Sequence, residues 1–278
     1  MGVVNVTPDS FSDGGRFVAP GAAVEHGLRL RDAGADLLDI GGESTRPGAT
    51  RPLVEEELGR VVPVIRGLAE AGVPISVDTM RAEVAEAAVA AGAVLVNDVS
   101  GGLADPRILS VVADAGAAYV AMHWRGHADT MQRRASYDDV VGEVREELTR
   151  QVDAALAAGI APERLAVDPG LGFAKTAAHN WTLLRRLDEV DVHGLPLMVG
   201  SSRKSFLGTL LADADGTPRP VLDREDANVA LTTIVALTGA WAVRVHQVRG
   251  SVDAVKVVTR WQDFGAAQCS ARVGGDNE

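Results

Sequence analysis

Residues 36–48 read Asp-Leu-Leu-Asp-Ile-Gly-Gly-Glu-Ser-Thr-Arg-Pro-Gly. The first half is an apolar run that carries Asp39. The second half breaks at Gly41-Gly42 and continues through Ser44, Thr45 and Arg46 into turn-forming Pro47-Gly48. A buried carboxylate followed by hydroxyls and a guanidinium is the pattern of a strand opening into a binding loop. The same grammar recurs along the chain. Short apolar runs end in turn at Asn5, Asp39, Asp78, Asn97, His123, Asp168, Gly200-Ser201 and Arg244 with His246. One such residue is ordinary satisfaction of a buried polar group; a polar ending on nearly every run describes a ring of chemistry.

Two kinds of recognition divide that ring. Asp78, Asn97 and Asp168 suit a planar, amide-rich heterocycle that offers several hydrogen-bond donors. Arg46, Arg244 and His246 suit phosphate, and the alternation of Arg244-Val-His246 turns both basic side chains to one face of a strand. Ser251, after Arg249-Gly250, is expected to cap a helix whose N-terminus adds to the anion site. The ligand implied is a heterocycle joined to a phosphate leaving group. Lys204, just after an apolar run, aims a cation into the same place.

The first loop, Asn5-Val-Thr7-Pro-Asp9-Ser-Phe11-Ser-Asp13-Gly14-Gly15, reads as a mobile lid with an aromatic tip. It fails as a calcium loop, because Phe11 and Pro20 stand where ligands are needed. Asn5 and Asp13 instead offer hard oxygens suited to Mg²⁺, which binds together with substrate phosphate. Ser201-Ser-Arg-Lys204 matches a Ser-x-x-Lys acyl-enzyme motif in isolation, but its partner motifs are missing. Gly170-x-Gly172 is no dinucleotide fingerprint, and no His-Glu-x-x-His is present.

The elements that position these residues follow from the punctuation. Apolar runs are expected as strands at 2–6, 36–40, 74–77, 93–96, 118–122, 165–167, 195–199 and 242–245, rich in Val, Ile and Leu without alternation. Such runs suit parallel strands covered on both faces. Gly34, Gly72, Gly92, Gly116, Gly159, Gly194 and Gly239 each precede a run, where a helix is expected to end. Between them lie helical stripes such as Leu58, Val61, Ile65 and Leu68, or Val140, Val144, Leu148 and Val152. Asp105-Pro106 reads as a helix start. Eight strands alternating with helices every 35 residues or so give an α/β fold of one domain, a (β/α)8 TIM barrel over residues 1–266. Its site lies at the C-terminal ends of the strands, and 267–278 are expected to form a disordered tail.

Composition agrees with a globular enzyme: 278 residues, 46% hydrophobic, 23% charged, net charge −11. That acidity excludes nucleic acid as the main partner, though local basic residues still permit a small anionic substrate. No apolar run is long enough to span a membrane, no secretory signal is visible, and the lone Cys269 fits a reducing, cytoplasmic location. The strand pattern starts at once, so natural residues upstream are expected.

These motifs together resemble the dihydropteroate synthases of folate biosynthesis. The resemblance rests on residues 5–15, Gly-Gly-Glu-Ser-Thr-Arg-Pro-Gly from Gly41, Ser-Val-Asp-Thr from Ser76 and Asn-Asp-Val-Ser-Gly-Gly from Asn97. Asp-Pro-Gly-Leu-Gly-Phe from Asp168, Ser-Arg-Lys-Ser from Ser202 and Arg-Val-His from Arg244 complete it. Met-His-Trp-Arg from Met122 is similar to actinobacterial members. The resemblance implies condensation of 6-hydroxymethyl-7,8-dihydropterin diphosphate with 4-aminobenzoate, giving 7,8-dihydropteroate and pyrophosphate by an SN1-like path. It implies pterin contacts from Asp78, Asn97, Asp168 and Lys204, with Met122, Phe173, Gly200 and Arg244 around the ring. It implies diphosphate held by Asn5, Thr45, Arg244 and His246 with Mg²⁺ near Asn5 and Asp13. Phe11, Arg46, Pro47, Lys204 and Ser205 would frame the aminobenzoate, which sulfonamides mimic, and the family implies a homodimer. Asp13, Asp78, Asp168, Lys204 and Arg244 are the expected catalytic groups. Leu171, where Phe is frequent, and Gln247, where Asp is common, depart from the family pattern. A pterin-binding methyltransferase acting on methyltetrahydrofolate, or a non-catalytic pterin-binding paralogue, are the competing readings; a methyltransferase would not need the diphosphate residues.

Overall fold

The computed structural model describes residues 1–7, 20–44, 51–127 and 131–273, with side chains to 264. Strands and helices alternate throughout: β1 (Gly2–Asn5), α1 (Pro20–Asp32), β2 (Leu38–Gly41), α2 (Val54–Glu70), β3 (Ile75–Asp78), α3 (Ala82–Ala90), β4 (Leu95–Asp98), α4 (Arg107–Ala115) and β5 (Ala118–Met122). They continue as α5 (Val140–Ala157), β6 (Leu165–Asp168), α6 (Ala177–Arg185), β7 (Met198–Val199), α7 (Ser205–Leu210), α8 (Glu225–Leu237), β8 (Ala242–Val243) and α9 (Val248–Val273). Strands β1 to β6 form one parallel sheet in chain order, and β7 pairs with β8 in parallel. Isolated parallel bridges from Val167 to Leu197 and from Val245 to Gly2 join the two sheets at both seams. The result is the (β/α)8 barrel.

Alternation within each strand sorts the core into two layers. Val4, Ile40, Val77, Val96, Ala121 and Val167 are buried in the large apolar layer shared with the surrounding helices. Leu95, Val120, Ala166 and Met198 form a separate buried plug with Leu37 and Ala242 inside the barrel. Two residues further along the strands, on the same inward face, come Asn97, Met122, Asp168 and Arg244. The apolar plug is therefore the floor of a polar mouth.

Helix ends follow their expected chemistry. Gly116 closes α4 in the left-handed region at φ 61°, which costs a side chain there but not a glycine. Asp105 accepts the backbone N–H of Arg107 at 3.2 Å and that of Ala82 at 3.0 Å, so one carboxylate serves the N-termini of α4 and α3.

Two expectations are corrected. The seventh and eighth strands are two residues long rather than five and four, because their remaining pairing is carried by single bonds such as Arg244 N–H to Val199 O at 3.0 Å. Ser251 is not a cap: α9 already begins at Val248, and the Ser251 hydroxyl lies buried 3.4 Å from Thr232 Oγ1 on α8. Helix α9 runs to Val273. No helix among the described residues is long and apolar enough to cross a membrane.

Candidate active site

Register fixes which strand-end residues meet. Asn5 pairs with Gly41, Gly41 with Asp78 and Asp78 with Asn97, placing them at one level of the barrel. Met122 pairs with Asp168. Asp39 pairs with Val3 and Ser76, one inward layer deeper. A pocket opens above, and Asp78, Asn97, Met122, Asp168, Phe173 and Gly200 line it together with Lys204, Arg244 and His246. Nine of the residues expected at the site are thus brought to one cleft.

Arg244 organises its floor. Its Nε donates to Asp39 Oδ2 at 2.6 Å, and its Nη2 donates to Asp78 Oδ2 at 2.7 Å. Asn97 Nδ2 donates to the same Asp39 oxygen at 2.9 Å. Asp39 is fully buried and lines no part of the pocket; it holds Arg244 and Asn97 in place. Burial pushes the Asp78 carboxyl up to about 7, against the pull of Arg244 and with help from Asp39. Asn97 Oδ1 is buried without a hydrogen-bond partner among the described residues, an open acceptor on a residue that lines the pocket.

The opposite wall is the turn after β6. Asp168 accepts the Gly170 N–H at 2.7 Å, and burial raises its pKa despite that bond and the nearby Lys204. Gly170 and Gly172 take φ of 67° and 80°, and Ala174 takes 47° without being glycine. A Cβ on Gly172 would lie 3.0 Å from Lys204 Cδ, so the bare backbone there lets Lys204 approach. Lys204 Nζ sits 4.1 Å above the centre of the Phe173 ring. Burial draws the Lys204 ammonium down to about 8, while Asp168 holds it up.

On the phosphate side, His246 Nδ1 lies 3.0 Å from Ser202 Oγ, which accepts the His246 backbone N–H at 3.2 Å. Asn5 is half-buried beside the pocket rather than in its lining. Ser205 is exposed at the first turn of α7, also outside the lining. Phe11, Asp13, Thr45, Arg46 and Pro47 lie outside the described residues. His123, grouped with the ring by its position, turns the other way: it is fully buried behind β5 and β6, bonded to Lys175 and Glu147. Ser202, Val99 and Leu171 also line the pocket, although the sequence reading gave none of them a site role. Ser202 follows Gly200-Ser201, and that adjacency was the available signal.

A deep, charged cleft of this kind at the strand ends of a (β/α)8 barrel defines a barrel enzyme that grips a polar heterocycle. Residues 1–246 match the model of the pterin binding enzymes. The dihydropteroate synthase of Mycobacterium leprae is 54% identical over 266 residues, covering 95% of this chain and 94% of that protein. The Xanthomonas albilineans dihydropteroate synthase with 4-aminobenzoic acid superposes with a TM-score of 0.85 at 49% identity, covering 96% and 92% of the two chains. The Yersinia pestis dihydropteroate synthase in a sulfonamide drug complex gives 0.87 at 42% identity, covering 95% and 94%. The chain belongs to the pterin binding enzymes and, among them, to the dihydropteroate synthase family.

Proposed function

We propose that the cleft is the pterin half of an active site that condenses 6-hydroxymethyl-7,8-dihydropterin diphosphate with 4-aminobenzoate, releasing pyrophosphate and 7,8-dihydropteroate. The observation that carries this reading is the convergence of Asp78, Asn97, Asp168 and Lys204 on one pocket that Met122 and Phe173 also line. Carboxylates and the unpartnered Asn97 oxygen accept from the ring N–H groups; Lys204 donates to a ring carbonyl or nitrogen. Relatives named for this activity align along nearly the whole chain.

The chemistry follows an SN1-like path. Diphosphate departs from a carbon attached to an electron-rich ring, and positive charge develops on the pterin. Asp78 and Asp168, held in a site of low dielectric, stabilise that charge through their ionised forms. Arg244 and His246 stand at the basic end of the pocket and receive the diphosphate, with Thr45 of the second loop as a further donor. The aniline nitrogen then attacks the cation, framed by Phe11, Arg46, Pro47 and Ser205. Exclusion of water from the site protects the cation from hydrolysis.

Mg²⁺ fits the donor set. Asn5 Oδ1 and Asp78 Oδ2 flank Gly41, at 3.8 and 3.6 Å from the point where its Cβ would stand, so hard oxygens face one spot at the rim. Mg²⁺ keeps several waters and binds together with substrate phosphate, so few protein ligands are needed. Asn5, with Asp13, would hold the ion, which supplies neutralisation of the leaving diphosphate. A homodimer in the cytosol completes the reading, with sulfonamides as inhibitors at the aminobenzoate position. Formation of 7,8-dihydropteroate by the purified chain, and its loss in Asp78→Ala, tests the assignment.

A further inference from the structure

Behind the pterin wall lies a chain of polar and charged groups that the reaction does not use, buried at Lys175 and His123 and half-buried at Glu147 and Arg125. Lys175 is 4% exposed, and its Nζ reaches three acceptors: His123 Nδ1 at 2.8 Å, Gly170 O at 3.1 Å and Phe173 O at 3.1 Å. Burial draws Lys175 down to about 7 while Asp168 holds it up; in its charged form it has only donors, so His123 Nδ1 accepts and the ring proton sits on Nε2. That proton is donated to Glu147 Oε2 at 2.9 Å. Glu147 in turn takes Arg125 Nη2 at 2.6 Å on its other oxygen. Burial, with the Lys175 charge beside it, lowers the imidazole to about 4, which keeps it neutral and accepting. Three N–H donors thus meet three acceptors, and no proton of the ammonium is left unmatched.

The two carbonyls are the ends of the turn that builds the pocket wall. That turn carries left-handed backbone at Gly170, Gly172 and Ala174. Residues in that region without the help of glycine cost about 1–3 kcal/mol and persist only when their surroundings hold them. Asn180 Oδ1 takes the Gly172 N–H at 2.8 Å, Tyr137 Oη donates to Ala174 O at 3.0 Å, and the Phe173 N–H donates to Gly170 O at 3.1 Å; among the described side chains, Lys175 alone bonds the carbonyls of both Gly170 and Phe173. Between those ends sit Gly172, against the stem of Lys204, and Phe173, under its ammonium.

We propose that Lys175 is a positioning residue for the pterin: its buried ammonium, held from behind by His123 and Glu147, clamps the 170–174 turn so that Phe173 and Lys204 meet the ring. It touches no reacting atom. The role rests on the pocket being the pterin site, and it predicts a selective defect. In Lys175→Met the turn loses its clamp while the apolar stem still fills the space. The KM for the pterin diphosphate should rise by about tenfold, which corresponds to ~1.4 kcal/mol. The KM for 4-aminobenzoate should rise less than that for the pterin diphosphate, since Phe173 and the turn itself belong to the pterin wall and only Lys204 is shared between the two pockets.

The test measures both KM values and kcat, with direct pterin binding by calorimetry and thermal unfolding alongside. Turnover by the wild type establishes the function reading separately; an unchanged pterin KM in an active, folded Lys175→Met enzyme overturns the clamp alone. Equal rises in both KM values also overturn it, since a general loosening would give that result. Should Lys175→Met fail to fold, His123 decides. His123→Gln keeps an acceptor for Lys175 and a donor for Glu147, so it should retain pterin affinity, whereas His123→Leu should weaken it. Equal affinity in the two variants contradicts the proposal.

Discussion

Arg244 donates from Nη2 to Asp78 Oδ2 at 2.7 Å, across the barrel mouth from the end of β8 to the end of β3. The same guanidinium is anchored to Asp39 one layer below, so the Asp78 carboxylate is presented by a rigid pair and not by a free side chain. Removing Asp78 by Asp78→Ala leaves Arg244 half paired and the pterin without an acceptor. The expected loss is about 3 kcal/mol or more, roughly a hundredfold in pterin affinity. A calorimetric titration with unchanged affinity refutes the role.

Asp78 also sets a pH dependence. The folded carboxyl titrates at about 7, well above its ordinary 3.8, so the folded chain holds a proton that the unfolded chain releases between those values. Its contribution to stability is full below the ordinary value and is lost as pH rises through the folded one. Ligand binding runs the opposite way, because the ionised form accepts from the pterin. Pterin affinity should depend on pH between about 6 and 8, rising as Asp78 ionises and falling as Lys204 loses its proton near 8, and Asp78→Asn should remove the rising part. A variant retaining the full rise would assign it to another group.

Two glycines should respond in opposite directions. Gly170 lies at φ 67°, and a Cβ there would collide with the His123 carbonyl oxygen. Gly170→Ala should therefore destabilise by several kcal/mol and distort the pterin wall. Gly59 is inside α2 with open space around it. Gly59→Ala should stabilise by about 0.5–1 kcal/mol and leave turnover unaltered. Denaturant unfolding of both variants checks the pair.

The first two loops should govern the second substrate. Changes at Phe11 and Pro47 are expected to alter sulfonamide inhibition more than pterin affinity. Inhibition constants and pterin Kd values from the same variants decide it, and parallel changes in both would contradict the loop assignment.

The fold was legible because parallel strands buried on both faces carry unbroken apolar runs, and because glycine marks helix ends at Gly34, Gly72, Gly92, Gly116, Gly159 and Gly239, all with positive φ. The polar ring was legible in membership and less so in depth. Asp39 and Asp78 both end apolar runs, but only pairing register shows that Asp39 sits a layer lower, beneath Arg244. His123 looked equivalent to its neighbours, yet Met122 already occupies the inward face, so alternation sends His123 outward. Its partners Lys175 and Glu147 lie far along the chain, and no local pattern announces such a contact. Ser251 misled because a serine after Arg-Gly satisfies the rules for a cap, while the preceding residues of α9 were free to be helical as well.

The most direct measurement is pyrophosphate release from 6-hydroxymethyl-7,8-dihydropterin diphosphate, with and without 4-aminobenzoate and Mg²⁺. The account predicts release coupled to 7,8-dihydropteroate when all components are present, and its loss in Asp78→Ala. No dihydropteroate under any of these conditions, from a folded chain that binds the pterin, would contradict it.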